Sequence, residues 1–259
     1  MIPTVISLGG GVQSSTLFLM ATKGLIHADL AVFADTGWEP AHTYKYLEYL
    51  KDISHIPIHV VSQGNIREDM SKANVATIHR EGIPPVYLRD VNNKVSMLKR
   101  QCTYKYKIRP IASFLRGLYG NRKKPSVQVM IGISMDELIR AKSSKVMWQK
   151  YLHPLLDMRM TRQDCITWLQ QNEYEVPAKS SCIGCPFQSN RQWMELRQNR
   201  PEEWNQACEA DEDIRRLDFL SSTTSAFLHS SATPLRTAKL GKEDSGQISL
   251  DVCGGFCWT

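Results

Sequence analysis

Short unbroken apolar runs alternate with stretches of helical apolar spacing along the first two thirds of the chain. Thr4-Val5-Ile6-Ser7-Leu8 is the first run, Ala28 to Ala34 the second and Pro57-Ile58-His59-Val60-Val61 the third. Ser126 to Ser134 is another, and Trp148 to Leu156 reads as a further strand. Between the first two, Leu17-Phe18-Leu19-Met20-Ala21 forms an apolar helix; Pro40 to Leu50 reads as the next helix. Strand and helix in turn at short spacing predict a parallel sheet doubly wound by helices, an α/β fold of the Rossmann type. Runs that do not alternate with polar residues suit strands covered on both faces.

The remainder is less regular. Residues from about 78 to 98 lack a clear period and contain Pro84-Pro85, so a loop or lid over the site is expected. Lys105 to Leu118 has helical spacing, and Asn121 to Pro125 reads as a basic surface loop. A helix is expected from Met160 through Leu169, with Thr161 as its N-cap. From Pro177 onward come cysteines, two polar helices (188 to 199, and 201 to about 220) and an end rich in Ser, Thr and Gly. Ser221 to Ser225 reads as loop. The expected division is a nucleotide-binding α/β domain over 1–176 and a cysteine-bearing, mostly helical region over 177–259.

The first strand runs into Gly9-Gly10-Gly11, then Val12-Gln13-Ser14-Ser15-Thr16 opens the first helix. Glycines admit a bulky anion close to the main chain. The free N–H groups and positive end of a helix N-terminus then face that anion. Hydroxyls at Ser14, Ser15 and Thr16 make phosphate or sulfate the natural guest, although such a turn can also serve only to reverse the chain. It is neither the dinucleotide GxGxxG pattern nor a GxxxxGK[ST] loop. In a parallel sheet, ligands bind beyond the carboxyl ends of the strands, where this turn and Asp35-Thr36-Gly37 both fall.

The net charge of +6 suits a polyanionic ligand and permits nucleic acid without requiring it. No apolar run approaches the roughly 20 residues that cross a bilayer. With no basic region ahead of an apolar core at the N-terminus, a cytoplasmic protein without membrane partners is expected. Seven cysteines then point to metal ligands or redox thiols rather than a disulfide framework. Cys182-Ile183-Gly184-Cys185 has the spacing that puts two thiolates on one centre, and Cys253 and Cys257 form a looser second pair. Cys102 stands in a basic run from Lys99 to Arg109, where cations favour the thiolate. Cys165 and Cys208, on expected helices, read as inert. His42, His59, His79, His153 and His229 show no ligand spacing with the cysteines.

Together these residues resemble the phosphoadenosine phosphosulfate (PAPS) reductase family, within the PP-loop adenine-nucleotide hydrolase-like fold. Ser7 to Ser15 is similar to the family's phosphate-binding loop, and Asp35-Thr36-Gly37-Trp38-Glu39-Pro40 to its second strand turn. Cys102 with Lys107-Ile108-Arg109-Pro110-Ile111 resembles the family's Cys-x-x-x-(Arg/Lys)-Val-x-Pro-Leu segment. Gly132 to Glu137 with Arg140 stands at its strand-end glycine and basic residues, and Cys182 and Cys185 stand where iron–sulfur members carry a cluster pair.

The resemblance implies nucleotide contacts from Ser7, Gly9, Gly10, Gly11, Gln13, Ser14, Ser15, Asp35, Thr36 and Gly132. It implies a 4Fe–4S cluster on Cys102, Cys182, Cys185 and Cys257, with zinc as the alternative metal. Cys253, Arg140 and Asp136 take the catalytic roles, and Cys253 and Cys257 can exchange theirs. The nucleotide is ATP, adenylylsulfate or PAPS, with Mg2+ a further cofactor. The departures are informative. One cysteine, Cys102, stands where adenylylsulfate reductases have two in a row, and the family's Glu-Cys-Gly-Leu-His ending survives only as Cys253-Gly254. Val12 and Gln13 replace the Lys-Asp of ATP-hydrolysing relatives, and Arg100, Lys105, Lys107, Arg109 and Arg140 could supply the charge instead.

Sulfonucleotide reduction is therefore the leading expectation, an oxidoreductase using a small-molecule nucleotide. An ATP-dependent sulfurtransferase is the alternative, with a nucleic-acid or thiol-carrier partner. A zinc-stapled module that binds nucleotide or nucleic acid without catalysis is the non-enzymatic one; Tyr104 and Tyr106 could stack on bases. Being two apart on a helix, these tyrosines do not share a face, so at least one belongs to the core.

Overall fold

A computed structural model of the chain describes residues 2–72, 84–120, 124–216 and 223–241. The elements in order are β1 (Thr4–Leu8), α1 (Val12–Thr22), β2 (Leu30–Asp35), α2 (Ala41–Ile53), β3 (Ile58–Ser62), α3 (Ile66–Ser71), β4 (Tyr87–Asp90) and β5 (Val95–Met97). A π-helical turn, Tyr104–Ile108, leads into α4 (Arg109–Tyr119). Then come β6 (Val127–Ile131), a 3-10 turn (Met135–Arg140), β7 (Gln149–Leu152), α5 (Pro154–Asp157) and α6 (Arg162–Gln171). The last elements are α7 (Asn190–Asn199), α8 (Pro201–Ile214), β8 (Thr224–Phe227) and a short 3-10 turn, Leu235–Thr237.

Five strands form one sheet in the order β3-β2-β1-β6-β7, every neighbouring pair parallel. Strand order reverses between β1 and β6, which opens a crevice at their carboxyl ends. The glycine turn follows β1 and Gly132 follows β6, so both lie at that crevice. Both faces of the sheet are covered. Ile6, Leu8 and Phe33 pack with α1, α2 and α6, while Val5, Val32 and Val129 pack with α4. This two-sided burial is why the strand sequences run apolar without alternation.

Three local expectations change. The described part of 78–98 holds a hairpin, β4 and β5, whose turn sets Asn93 at φ 61°. Thr224 and Ser225 are not loop; they begin β8, which pairs antiparallel with β4. The strand expected over Trp148 to Leu156 stops at Leu152, because Pro154 opens α5. On α6 the Thr161 N-cap is present as a full capping box with Asp164. The rest of the expected lid, part of the expected basic loop, the expected end of the second polar helix and the tail fall on residues 73–83, 121–123, 217–222 and 242–259, which lie outside the described residues.

A third apolar cluster joins the C-terminal region to the sheet domain. Trp193, Trp204 and Ile214 pack with Trp38, Ile66 and Tyr106. Asp211, 1% exposed, holds this region together by accepting from the backbone N–H of Leu228 and Leu235 and pairing with Arg215. His229 donates from Nε2 to Asn190 Oδ1 at 2.7 Å, since its Nδ1 accepts from the Ser231 amide. Tyr106 is wholly buried and Tyr104 is 65% exposed, as their spacing requires.

Candidate functional site at the crevice

Gly10 has φ +69°, a conformation that L side chains rarely adopt, and a Cβ there would also press on Thr43. Gly11 occupies the N-cap of α1 and offers no side chain, so the first N–H groups of that helix have no side-chain cap. The Gly9 amide donates to Ser14 Oγ at 3.1 Å, and Ser14 Oγ donates to the Gly11 carbonyl at 3.2 Å. Gly132 closes the other wall: a Cβ on it would stand 2.7 Å from the Ser14 nitrogen, so only glycine lets the end of β6 lie against α1. Ser7, at the end of β1, is buried within the sheet.

The carboxyl end of β2 supplies the next wall. Asp35 accepts from the Gly37 amide and the Tyr44 hydroxyl, each at 2.8 Å, which fixes the turn and occupies one of its oxygens. Gly37, at φ +70°, lies against Asn65, whose side chain caps α3. Thr36 points the other way, its Oγ1 donating to Glu39 Oε1 at 2.9 Å and lying 3.4 Å from Cys182 Sγ.

Cys102, Cys182 and Cys185 line one cavity, with Thr103, Lys107 and Trp38 among its other walls. The π turn matters here. Its bonds close five residues apart rather than four, as in Arg109 N–H to the Tyr104 carbonyl, and Cys102 before it and Lys107 within it both line the cavity. Lys107 pairs with Glu39 at 3.3 Å; that carboxylate is 1% exposed and also lies 3.8 Å from Cys182 Sγ. Ser180, two residues before Cys182, would meet a Cβ on Gly11 at 3.1 Å. The CxxC segment therefore runs across the mouth of the glycine turn.

Three thiols on two segments form a donor set that fits a thiophilic metal or cluster. Their spacing does not close a site. Among the described residues no three Cys, His, Asp or Glu side chains stand together at metal-binding distance, and the cavity measures about 30 Å³, room for a water. Cys253, Cys257 and His79 lie outside the described residues. Cys165 and Cys208 are buried in apolar clusters, which pushes both thiols up to about 11.

The cations nominated from the sequence are mostly engaged. Lys105 pairs with Asp69 at 2.8 Å, Lys107 with Glu39, and Arg140, 6% exposed, with Glu137. Arg100 stacks over the Phe187 ring. Burial raises the Glu137 pKa, and Arg140 and then Arg162 oppose that rise. Asp136 accepts from the Ser134 hydroxyl at 3.2 Å and from the Arg162 backbone N–H at 2.6 Å, tying the turn after β6 to the start of α6. Two residues of the site, Glu39 and Arg162, carry no site signal of their own in the sequence. Glu39 stands inside the Asp35–Pro40 segment that marked the second turn, whereas no local pattern marks Arg162.

Among the described residues no helix is long and apolar enough to cross a membrane. No curated protein sequence is similar enough to match the chain. Residues 3–177 match the phosphoadenosine phosphosulfate reductase domain, a span that holds the glycine turn, the Asp35 turn, Cys102 and Gly132 and ends just before the CxxC. With well over half its length matched, the chain belongs to the phosphoadenosine phosphosulfate reductase domain family.

Proposed function

We propose that this nucleotide-utilising PP-loop protein is a sulfonucleotide reductase, taking adenylylsulfate or PAPS and releasing sulfite. One observation carries the reading: the CxxC segment crosses the mouth of the glycine turn, with Ser180 against Gly11 and Cys182 beside Thr36. A nucleotide seated on the uncapped end of α1 would present its anionic group to thiols.

In this reading the backbone N–H groups from Gly10 to Ser14 hold the phosphosulfate, the Gly9 and Ser15 N–H groups and the Ser14 hydroxyl being engaged within the turn, and the charge that develops on the leaving phosphate meets fixed donors. Gly132 and Thr36 shape the walls. A thiolate, Cys253 or its neighbour Cys257, attacks the sulfur. The sulfur–oxygen bond to the phosphate breaks, its electron pair leaves with the nucleotide, and the enzyme keeps an S-sulfonate. A second thiol, from a dithiol carrier protein, then attacks the enzyme sulfur; sulfite leaves and a disulfide remains, the two electrons having come from the thiols. Arg140 and Asp136 act in this reading by holding the turn after β6 in place.

Cys102, Cys182, Cys185 and one tail cysteine would hold a 4Fe–4S cluster, or zinc in its place. Such a centre would anchor the tail beside the glycine turn and hold its four cysteines as thiolates. Reduced thiols and a nucleotide substrate suit a cytoplasmic setting.

The test is to incubate anaerobically purified protein and a dithiol with adenylylsulfate, PAPS and ATP separately. Sulfite with an equal amount of free nucleotide supports the reading. Pyrophosphate from ATP alone would replace it with ATP-dependent thiolation of an acceptor such as a nucleic-acid base, where Mg2+ is the required cofactor. No product from any of the three would overturn both.

A further inference from the structure

The phosphate loop of this chain carries no lysine, and the cations beside it are largely cancelled by carboxylates. Arg162 is the exception. Its backbone N–H is held by Asp136 Oδ2 at 2.6 Å, and its guanidinium NH1 donates to Gln13 Oε1 at 3.1 Å. Gln13 is the second residue of α1, 4% exposed, and its amide nitrogen is in turn near Ser134 Oγ and Glu137 Oε2, each at 3.4 Å. The arginine is thus fixed at both ends, against the helix terminus that forms the floor of the glycine turn.

What fixes the guanidinium is a neutral amide. It forms no ion pair among the described residues, whereas Arg140, on the same turn, is paired with Glu137 and buried. Glu137 feels both arginines, but Arg140 is the one in contact. An amide at position 13 orients Arg162 while leaving its charge intact; a carboxylate there would cancel it. A planar guanidinium with donors to spare matches the oxygens of a phosphate.

We infer that Arg162, positioned by Gln13, is the cation that neutralises the nucleotide phosphate in this site, in place of a lysine within the loop. The inference rests on the glycine turn being a nucleotide site, and it adds that recognition requires the phosphate charge to meet a residue from α6.

Equilibrium binding of AMP and of adenosine to the anaerobically purified full chain tests this, using wild type, Arg162→Gln and Arg162→Lys. Arg162→Gln is expected to weaken AMP binding about ten-fold or more while leaving adenosine unchanged, with Arg162→Lys between the two. AMP binding by wild type should also weaken with added salt more steeply than binding by Arg162→Gln. Equal AMP affinity in wild type and Arg162→Gln would overturn the inference and leave the nucleotide site standing. Equal loss of AMP and adenosine would overturn it too, since that marks a merely structural role. If wild type binds neither AMP nor a sulfonucleotide, the nucleotide reading itself falls and takes the inference with it.

Discussion

Gly184 of the CxxC lies directly beneath the indole of Trp38, so close that a Cβ on it would fall inside contact distance of three carbons of the six-membered ring. The Ile183 amide donates to the Trp38 carbonyl at 3.0 Å, so the same two segments are also joined through their backbones. The β2 turn and the cysteine turn are thus one joined structure, and the position of Cys182 depends on it.

Gly184→Ala should force this joint apart. Overpacking of this kind costs about 1–3 kcal/mol. Urea denaturation is expected to show that loss, and Trp38→Leu in the same chain should recover part of it by making room. Recovery would assign the loss to this contact and not to the glycine backbone, whose conformation here any residue can adopt.

Gly132→Ala strikes backbone rather than a side chain. Its Cβ would stand 2.7 Å from the Ser14 nitrogen and 2.9 Å from the Gln13 carbonyl carbon. No rotamer change can relieve that, so α1 must shift from the end of β6. Both thermal stability and AMP affinity should fall, the latter because the N–H groups of the glycine turn move with the helix.

The buried Lys107–Glu39 pair gives a third test. Lys107→Met leaves a carboxylate that is 1% exposed without its cation, a change that costs about 3–5 kcal/mol when a buried pair is broken. Adding Glu39→Gln should restore much of that stability, since the uncompensated charge is then gone. A double variant no more stable than Lys107→Met would contradict the pairing.

The parallel sheet is legible in the sequence because each strand is a single apolar run and each crossover carries helical spacing. The small antiparallel sheet is not. Tyr87-Leu88-Arg89-Asp90 shows no alternation, and its partner β8 comes from a distant part of the chain. The cysteines announce themselves by spacing and by their basic setting. Glu39 and Arg162 do not, since one owes its importance to meeting Cys182 and Lys107, and the other to meeting Gln13. Such roles arise from tertiary placement, which leaves no local period.

Thiol chemistry should divide the cysteines by pH. Burial raises Cys165 and Cys208 from 9.0 to about 11, so the native protein at mildly alkaline pH should leave both unmodified by an alkylating reagent. The same shift has a stability consequence. Because the folded pKa lies above the unfolded value, the stabilisation is whole below about 9 and is lost as pH climbs to about 11. Cys165→Ala and Cys208→Ala should each flatten the decline measured by urea denaturation across that range.

The most direct test asks whether a nucleotide on the glycine turn reaches the cysteine cavity. Alkylation of Cys102, Cys182 and Cys185 in the metal-free, reduced full chain can be followed by mass spectrometry with and without adenylylsulfate. Bound nucleotide should slow modification of Cys182 most, because its Sγ lies beside Thr36 and its segment crosses the turn at Gly11. Unchanged labelling of all three thiols at saturating nucleotide would contradict a shared site.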